Sequence, residues 1–101
     1  SQLIRVPAAQ GDYRRVELRS PDPTANPYLA FALLIHAALD GLENQLPLPP
    51  SADLNLYEAP AEQLSRYERL PVSLEEARAA ASESAFVRAH IPEAILKAYG
   101  M

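Results

Sequence analysis

The stretch Arg14-Arg15-Val16-Glu17-Leu18-Arg19 alternates charged and apolar residues with the period of a β-strand. Arg15, Glu17 and Arg19 therefore line one face, and Val16 and Leu18 the other. Neighbours two apart on a strand sit roughly 6.6 Å from each other, so three charged heads span roughly 13 Å, about the length of a polyphosphate beside an acidic substrate. The order is cation, anion, cation. A carboxylate is a good ligand for a hard divalent ion, and guanidinium forks match phosphate and carboxylate oxygens bidentately, as lysine does not. Spacing alone leaves a plainer alternative open: a solvated strand whose Arg and Glu pair weakly with each other.

The chain has 101 residues and no cysteine, which suits one small domain without disulfides or thiolate metal ligands and fits a reducing, cytoplasmic setting. No basic n-region with an apolar h-region opens it. The longest apolar run, Pro27 to Leu39 interrupted by His36, is too short to cross a bilayer. The net charge of -4 is uneven: Arg5, Arg14, Arg15 and Arg19 outweigh Asp12 and Glu17 in the first twenty residues, and the remainder is acidic. Attraction for anions is thus concentrated at the N-terminal end. Nucleic acid is a poor candidate, because the patch lacks lysine and aromatics interleaved with its arginines.

Leu3 to Val6 and Tyr13 to Arg19 read as two strands joined through Pro7 and Gly11-Asp12, with Arg5 facing away from Ile4 and Val6. The double-proline turn around Asp22 ends the second strand. Asn26 offers an N-cap oxygen and Pro27 suits the first helical position, predicting a helix to about Gln45. Its apolar residues from Tyr28 to Leu39 fall on nearly every face, which predicts burial on all sides. Pro47-Leu48-Pro49-Pro50 stops it. An irregular segment follows to about Ala61, then a short polar helical turn over 62–69. Ser73 with Glu76 forms a capping box for a helix through about Ser84, and Pro92 suits the start of a last helix ending near Tyr99. Two strands with little sheet to pair into, followed by four helical stretches, predict an α+β chain that is a piece of something larger.

These motifs occur in an order that closely resembles the C-terminal part of the glutamine synthetase catalytic domain. Leu3-Ile4-Arg5-Val6-Pro7, the Arg-x-Glu-x-Arg of residues 15–19, Ser20-Pro21-Asp22-Pro23-Thr24-Ala25-Asn26-Pro27-Tyr28-Leu29 and Leu39-Asp40-Gly41-Leu42 carry the resemblance over residues 2–46. Asn55-Leu56-Tyr57, Leu70-Pro71 with Ser73-Leu74 and Ala77, Phe86-Val87-Arg88 and Ala98-Tyr99 extend it more weakly to the end. The resemblance implies a fragment, residues 1–101, of a guanido-kinase-like catalytic domain. Within it fall active-site strands over 1–19, a buried helix over 26–46, a loop over 47–72 and C-terminal helices over 73–101.

It also implies a parent enzyme, an ATP-dependent glutamate–ammonia ligase that forms glutamine through γ-glutamyl phosphate. Its partners would be ATP, glutamate and ammonia, its cofactor Mg²⁺ or Mn²⁺, its state homo-oligomeric and its setting cytoplasmic, away from membranes and nucleic acid. By the same resemblance Glu17 is a metal ligand, Arg19 contacts glutamate, and Arg5 and Arg15 contact the nucleotide, with Arg15 and Arg19 serving catalysis. Asp12 departs from the basic ATP contact that many members carry nearby. Asp22 and Asn26 read as turn and cap residues. His36 reads as a hydrogen-bonded core histidine and His90 as isolated, neither of them a ligand.

One carboxylate cannot hold a divalent ion that takes about six oxygen ligands, so the upstream part of the domain must supply the rest and the fragment alone is expected to be inert. Its exposed apolar helix is expected to drive self-association. Tyr57 matches a tyrosine that some bacterial members adenylylate, although Ala59-Pro60-Ala61 departs from their pattern. The alternative is an aromatic that anchors its own loop. Two other readings stand beside the ligase: a γ-glutamylpolyamine-type ligase of the same fold, and a non-catalytic interaction or assembly module.

Overall fold

Ile4–Arg5 (β1) and Glu17–Leu18 (β2) pair antiparallel, with Ile4 opposite Leu18 and Arg5 opposite Glu17. The computed structural model in which they pair describes residues 3–101. Five helices follow: α1 Pro27–Glu43, α2 Ala61–Leu64, α3 Leu74–Glu83, α4 Ala85–His90 and α5 Glu93–Ala98. The architecture is α+β, two short antiparallel strands and then mostly helices. Two compact units share the chain. One takes the residues up to Ala25 with Leu48–Tyr67, the other Asn26–Pro47 with Glu68–Met101.

In the first unit the strands are shorter than their alternation predicts, because Gly11–Tyr13 closes into a 3-10 turn. Gly11 takes φ +58 there, a left-handed angle that glycine adopts without steric cost. Tyr13 is thereby taken out of the predicted strand, and pairing begins only at Glu17. One further backbone bond, from Arg19 N–H to Leu3 C=O at 2.7 Å, extends the ladder. After β2, Asp22 turns the chain by accepting from the Thr24 hydroxyl and backbone N–H. Asn55 builds a second turn of this kind, its Oδ1 accepting from Tyr57 N–H at 3.1 Å. Pro60 then precedes α2, the short polar turn expected near residue 62.

The second unit is set by its caps. Asn26 Oδ1 accepts from Tyr28 N–H at 3.0 Å and more loosely from Leu29 N–H, with Pro27 at the first helical position. Two of the donors that a helix start leaves unpaired are thereby satisfied. At the other end Leu46 N–H reaches Gly41 C=O and Gln45 N–H reaches Leu42 C=O, the paired bonds of a Schellman motif. Helix α5 ends in the same way, through Gly100 N–H to Lys97 C=O and Met101 N–H to Leu96 C=O. The left-handed position is Gly100 in α5 but Gln45, at φ 49, in α1.

Ser73 Oγ accepts from Glu76 N–H, while Glu76 reaches one residue farther back than a standard capping box, to Val72 N–H at 3.0 Å. Ser84 both closes α3 and opens α4, its Oγ accepting from Val87 N–H. Helix α4 was not among the predicted helices. At six residues it is too short for a periodic apolar pattern to announce it.

Helix α4 packs against α1 and α3, and Ile91, which caps its C-terminus, is 6% exposed, the single buried hydrophobic residue among those described. Helix α1, predicted to be covered on all sides, has no buried residue. Tyr28, Phe31, Ile35 and Leu42 are exposed, and their spacing sets them on one stripe.

Gln45 carries a cost that glycine would not, since a Cβ in the left-handed region crowds the neighbouring carbonyl by about 1–2 kcal/mol. Gln45→Gly is expected to stabilise the unit by about 1 kcal/mol, read as a higher midpoint in urea unfolding followed by helical circular dichroism. An unchanged or lower midpoint would show that the Gln45 side chain makes a compensating contact.

Candidate active-site strands

Register brings the charged residues together. Because Arg5 lies directly opposite Glu17, their side chains leave the same face of the ladder. Arg15, two residues before Glu17, approaches along the strand direction. Arg5 Nη1 donates to Glu17 Oε2 at 2.8 Å. Arg15 Nε and Nη2 both reach Glu17 Oε1 at 3.1 Å, and Arg15 Nη1 also donates to Tyr13 C=O at 3.4 Å, back onto the 3-10 turn. Each carboxylate oxygen thus has its own guanidinium. The cluster is solvated: the side chains of Arg5 and Arg15 are just over half exposed and that of Glu17 about a third.

The guanidinium groups hold the Glu17 carboxyl below its ordinary value, the hydrogen bond from Arg5 being the largest cause and partial desolvation opposing it. Asp22 is lowered too, chiefly by the Thr24 hydroxyl and then by the Thr24 N–H. These causes differ in meaning. Asp22 is held by its own turn, as a turn residue should be, whereas Glu17 is held by two residues distant from each other in sequence.

The predicted site residues fall into three groups. Arg5, Arg15 and Glu17 meet. Arg19 lies beyond them: among the described residues its side chain makes no ion pair or hydrogen bond, and only its backbone N–H joins the ladder. Arg14 folds back, Nε donating to Gly11 C=O at 3.2 Å. Tyr57 is 84% exposed, so its ring does not anchor the loop; Asn55 holds that turn instead.

Both histidine readings need correction. His36 is exposed rather than in a core, and His90 is not isolated. Their rings stack at 3.9 Å with an interplanar angle of 17°, and the ring of Phe86 meets His90 edge-on at 4.7 Å. The pair exists only because α4 packs on α1, so no local spacing announces it. Asp40, one turn beyond His36, is bound by Asn44 Nδ2 at 2.7 Å.

The residues here do not by themselves fit a divalent-ion centre. Among the described residues no three His, Cys, Asp or Glu side chains converge, and the one central carboxylate has a guanidinium on each oxygen. Glu17 by itself is one hard oxygen donor, short of the about six that a divalent ion takes. The same unit has an open depression of about 280 Å³ lined by Ser51, Asp53, Leu54, Gln63, Arg66 and Tyr67, none of them singled out by the sequence. No helix among the described residues is long and apolar enough to cross a membrane.

The chain thus presents an acid between two arginines on a two-stranded ladder, followed by a proline-rich turn and a capped apolar helix, in an α+β architecture. The family profile of the glutamine synthetase catalytic domain matches residues 1–101, and the chain belongs to that family. A glutamine synthetase of Neisseria gonorrhoeae is 49% identical over 81 residues, covering 79% of this chain and 17% of the relative. One from Methanosarcina mazei is 39% identical over 103 residues, covering 98% of this chain and 23% of the relative. One from Methanocaldococcus jannaschii is 42% identical over 76 residues, covering 73% of this chain and 17% of the relative. The chain therefore spans about a fifth of the length of these curated relatives.

Because its pKa is depressed in the folded chain, Glu17 contributes stability that is present above the unfolded-state value and is lost as pH falls through the lower folded one. In a carbon-13 NMR titration the Glu17 carboxyl is expected to titrate below 4.5, and Arg5→Gln should move it back up more than Arg15→Gln. A midpoint at or above the ordinary value would mean that the clamp does not persist in solution.

Proposed function

We propose that this chain is the anion-binding, metal-assisting portion of an ATP-dependent glutamate–ammonia ligase, a glutamine synthetase that makes glutamine by way of γ-glutamyl phosphate. The observation that carries the reading is the Arg5–Glu17–Arg15 cluster with Arg19 next on the same strand, in a chain that belongs to this family. Phosphoryl transfer from ATP to a carboxylate gathers negative charge from several groups at once. It asks of a protein mainly positioning and neutralisation.

In this reading Arg19 receives the glutamate substrate, its guanidinium being free to form a bidentate pair with a carboxylate. Arg5 and Arg15 face the nucleotide phosphates, and Arg15 and Arg19 neutralise charge that builds up between phosphate and glutamate. Glu17 would give one oxygen donor to Mg²⁺ or Mn²⁺, and the remaining ligands would have to come from the upstream part of the domain. The ion, when bound, would supply charge compensation at the phosphates. The exposed stripe of α1 is covered in the complete, homo-oligomeric, cytoplasmic enzyme, and in the isolated chain it drives self-association. Tyr57, exposed at the tip of its turn, is accessible for adenylylation, a bulky and anionic addition.

In the complete enzyme, Glu17→Gln is expected to lower glutamate-dependent ATP turnover by roughly 10²–10³-fold while the oligomer seen in size-exclusion chromatography stays intact. An interaction module would lose nothing. The purified 101-residue chain is expected to show no glutamate-dependent ATP turnover in a phosphate-release assay, since one donor cannot complete an ion's coordination. Turnover by that chain would overturn the division of labour proposed here.

A further inference from the structure

The depression beside α2 has built walls. Arg66 N–H bonds to Gln63 C=O at 3.3 Å and Tyr67 N–H to Leu64 C=O at 3.1 Å, which carries the helical turn of α2 on through Tyr67. Gln63, Arg66 and Tyr67, three and four residues apart, therefore share one face of that turn, and all three line the depression. Ser51, Asp53 and Leu54 line it from the irregular segment before α2. Ser51 Oγ donates to Asp53 Oδ1 at 2.7 Å, which orients the carboxylate and leaves its second oxygen without a partner among the described residues.

The lining thus holds an acid and a guanidinium that do not close on each other: among the described residues no ion pair joins Asp53 to Arg66, and the Arg66 side chain has no hydrogen-bond partner. Unpaired opposite charges in one concavity complement a ligand that carries both signs. A dianion would meet Asp53, and a diamine would meet Arg66. Size narrows the class further, since pockets for drug-sized ligands begin at about 300 Å³ and this one is open at about 280 Å³. We infer that the depression binds a free α-amino acid with an apolar side chain. Its carboxylate takes the Arg66 fork, which suits bidentate pairing, its ammonium meets the open oxygen of Asp53, and its side chain lies against Leu54 and the ring of Tyr67. The Gln63 amide offers both a donor and an acceptor to the same two groups. The site shares no residue with the Arg5–Glu17–Arg15 cluster and does not rest on the ligase reading. Asp53 and Arg66 are both exposed, so each contact is weak by itself and selectivity comes from the demand for both charges together.

Equilibrium dialysis of the complete protein against radiolabelled L-leucine, without ATP, tests this. The unmodified protein is expected to retain leucine saturably. Arg66→Gln and Asp53→Asn should each weaken retention by about three- to fivefold, as much as an exposed charge pair contributes. L-leucinamide lacks the carboxylate and 4-methylpentanoate lacks the ammonium, so each should compete about three- to fivefold more weakly than unlabelled leucine, a comparison that needs no variant. Arg19→Gln alters the strand to which the proposed function assigns glutamate, and should leave leucine retention unchanged. Far-UV circular dichroism checks that each variant keeps its fold.

Loss of retention in Arg19→Gln would put leucine on the strands and overturn the inference, while leaving the proposed role of Arg19 intact. Retention undiminished in Arg66→Gln and Asp53→Asn, single-charge analogues that compete as well as leucine, or no retention at all would each overturn it too. Weakened retention in both depression variants, with poor competition by both analogues, is the result that a zwitterion site requires.

Discussion

The pairing of Arg5 with Glu17 across the two-stranded ladder is the constraint from which the rest of the first unit follows. It depends on register, and a slip of one residue would turn Arg5 to the opposite face and bring an apolar side chain over the carboxylate. The register is held by few bonds, since the regular strands are only two residues each. The 3-10 turn at Gly11–Tyr13 contributes from outside the ladder, because Tyr13 C=O holds the far side of Arg15. Side-chain electrostatics and strand pairing therefore reinforce each other here. The charges of the ladder thus help to align the strands that present them.

Solvation decides how tightly such a cluster can be held. In a dry interior, an acid between two guanidinium groups would be a fixed structural element, costly to break by removing one partner. At an exposed surface the same geometry is held weakly and can be exchanged. A surface that has to take up and release a ligand is better served by the second arrangement. Exposure of Arg5, Arg15 and Glu17 is thus consistent with a working surface, where full burial would have spoken for a purely architectural role.

Much of this was legible in the sequence where the signal is local. Asn26-Pro27 and Ser73 with Glu76 mark helix starts by chemistry that acts within four residues, and both cap oxygens accept as their spacing predicts, although the Glu76 carboxylate closes on Val72 N–H and not on Ser73 N–H. Arg15 and Glu17 are brought together as strand periodicity requires. The chain could not announce what depends on distant packing. The opposition of Arg5 and Glu17 needs the hairpin register, the stack of His36 on His90 needs α4 to pack on α1, and α4 is too short for periodicity to show. The apolar content of α1 predicts cover on every side, which the described residues do not give it, because composition cannot say which polypeptide segment would supply that cover. Alternation overextends the strand ends because it continues through residues whose backbone has already turned.

Ile91 is the one thoroughly buried hydrophobic side chain among the described residues, and that has a thermodynamic corollary. Cooperative melting needs a large change in apolar hydration on unfolding, the origin of both the heat-capacity increment and the denaturant sensitivity of a domain. A polypeptide whose side chains are already wet has little such change to offer. Left to itself it would unfold over a broad transition of low denaturant sensitivity. The covered state of α1 would then be what converts these loosely coupled elements into a single folding unit.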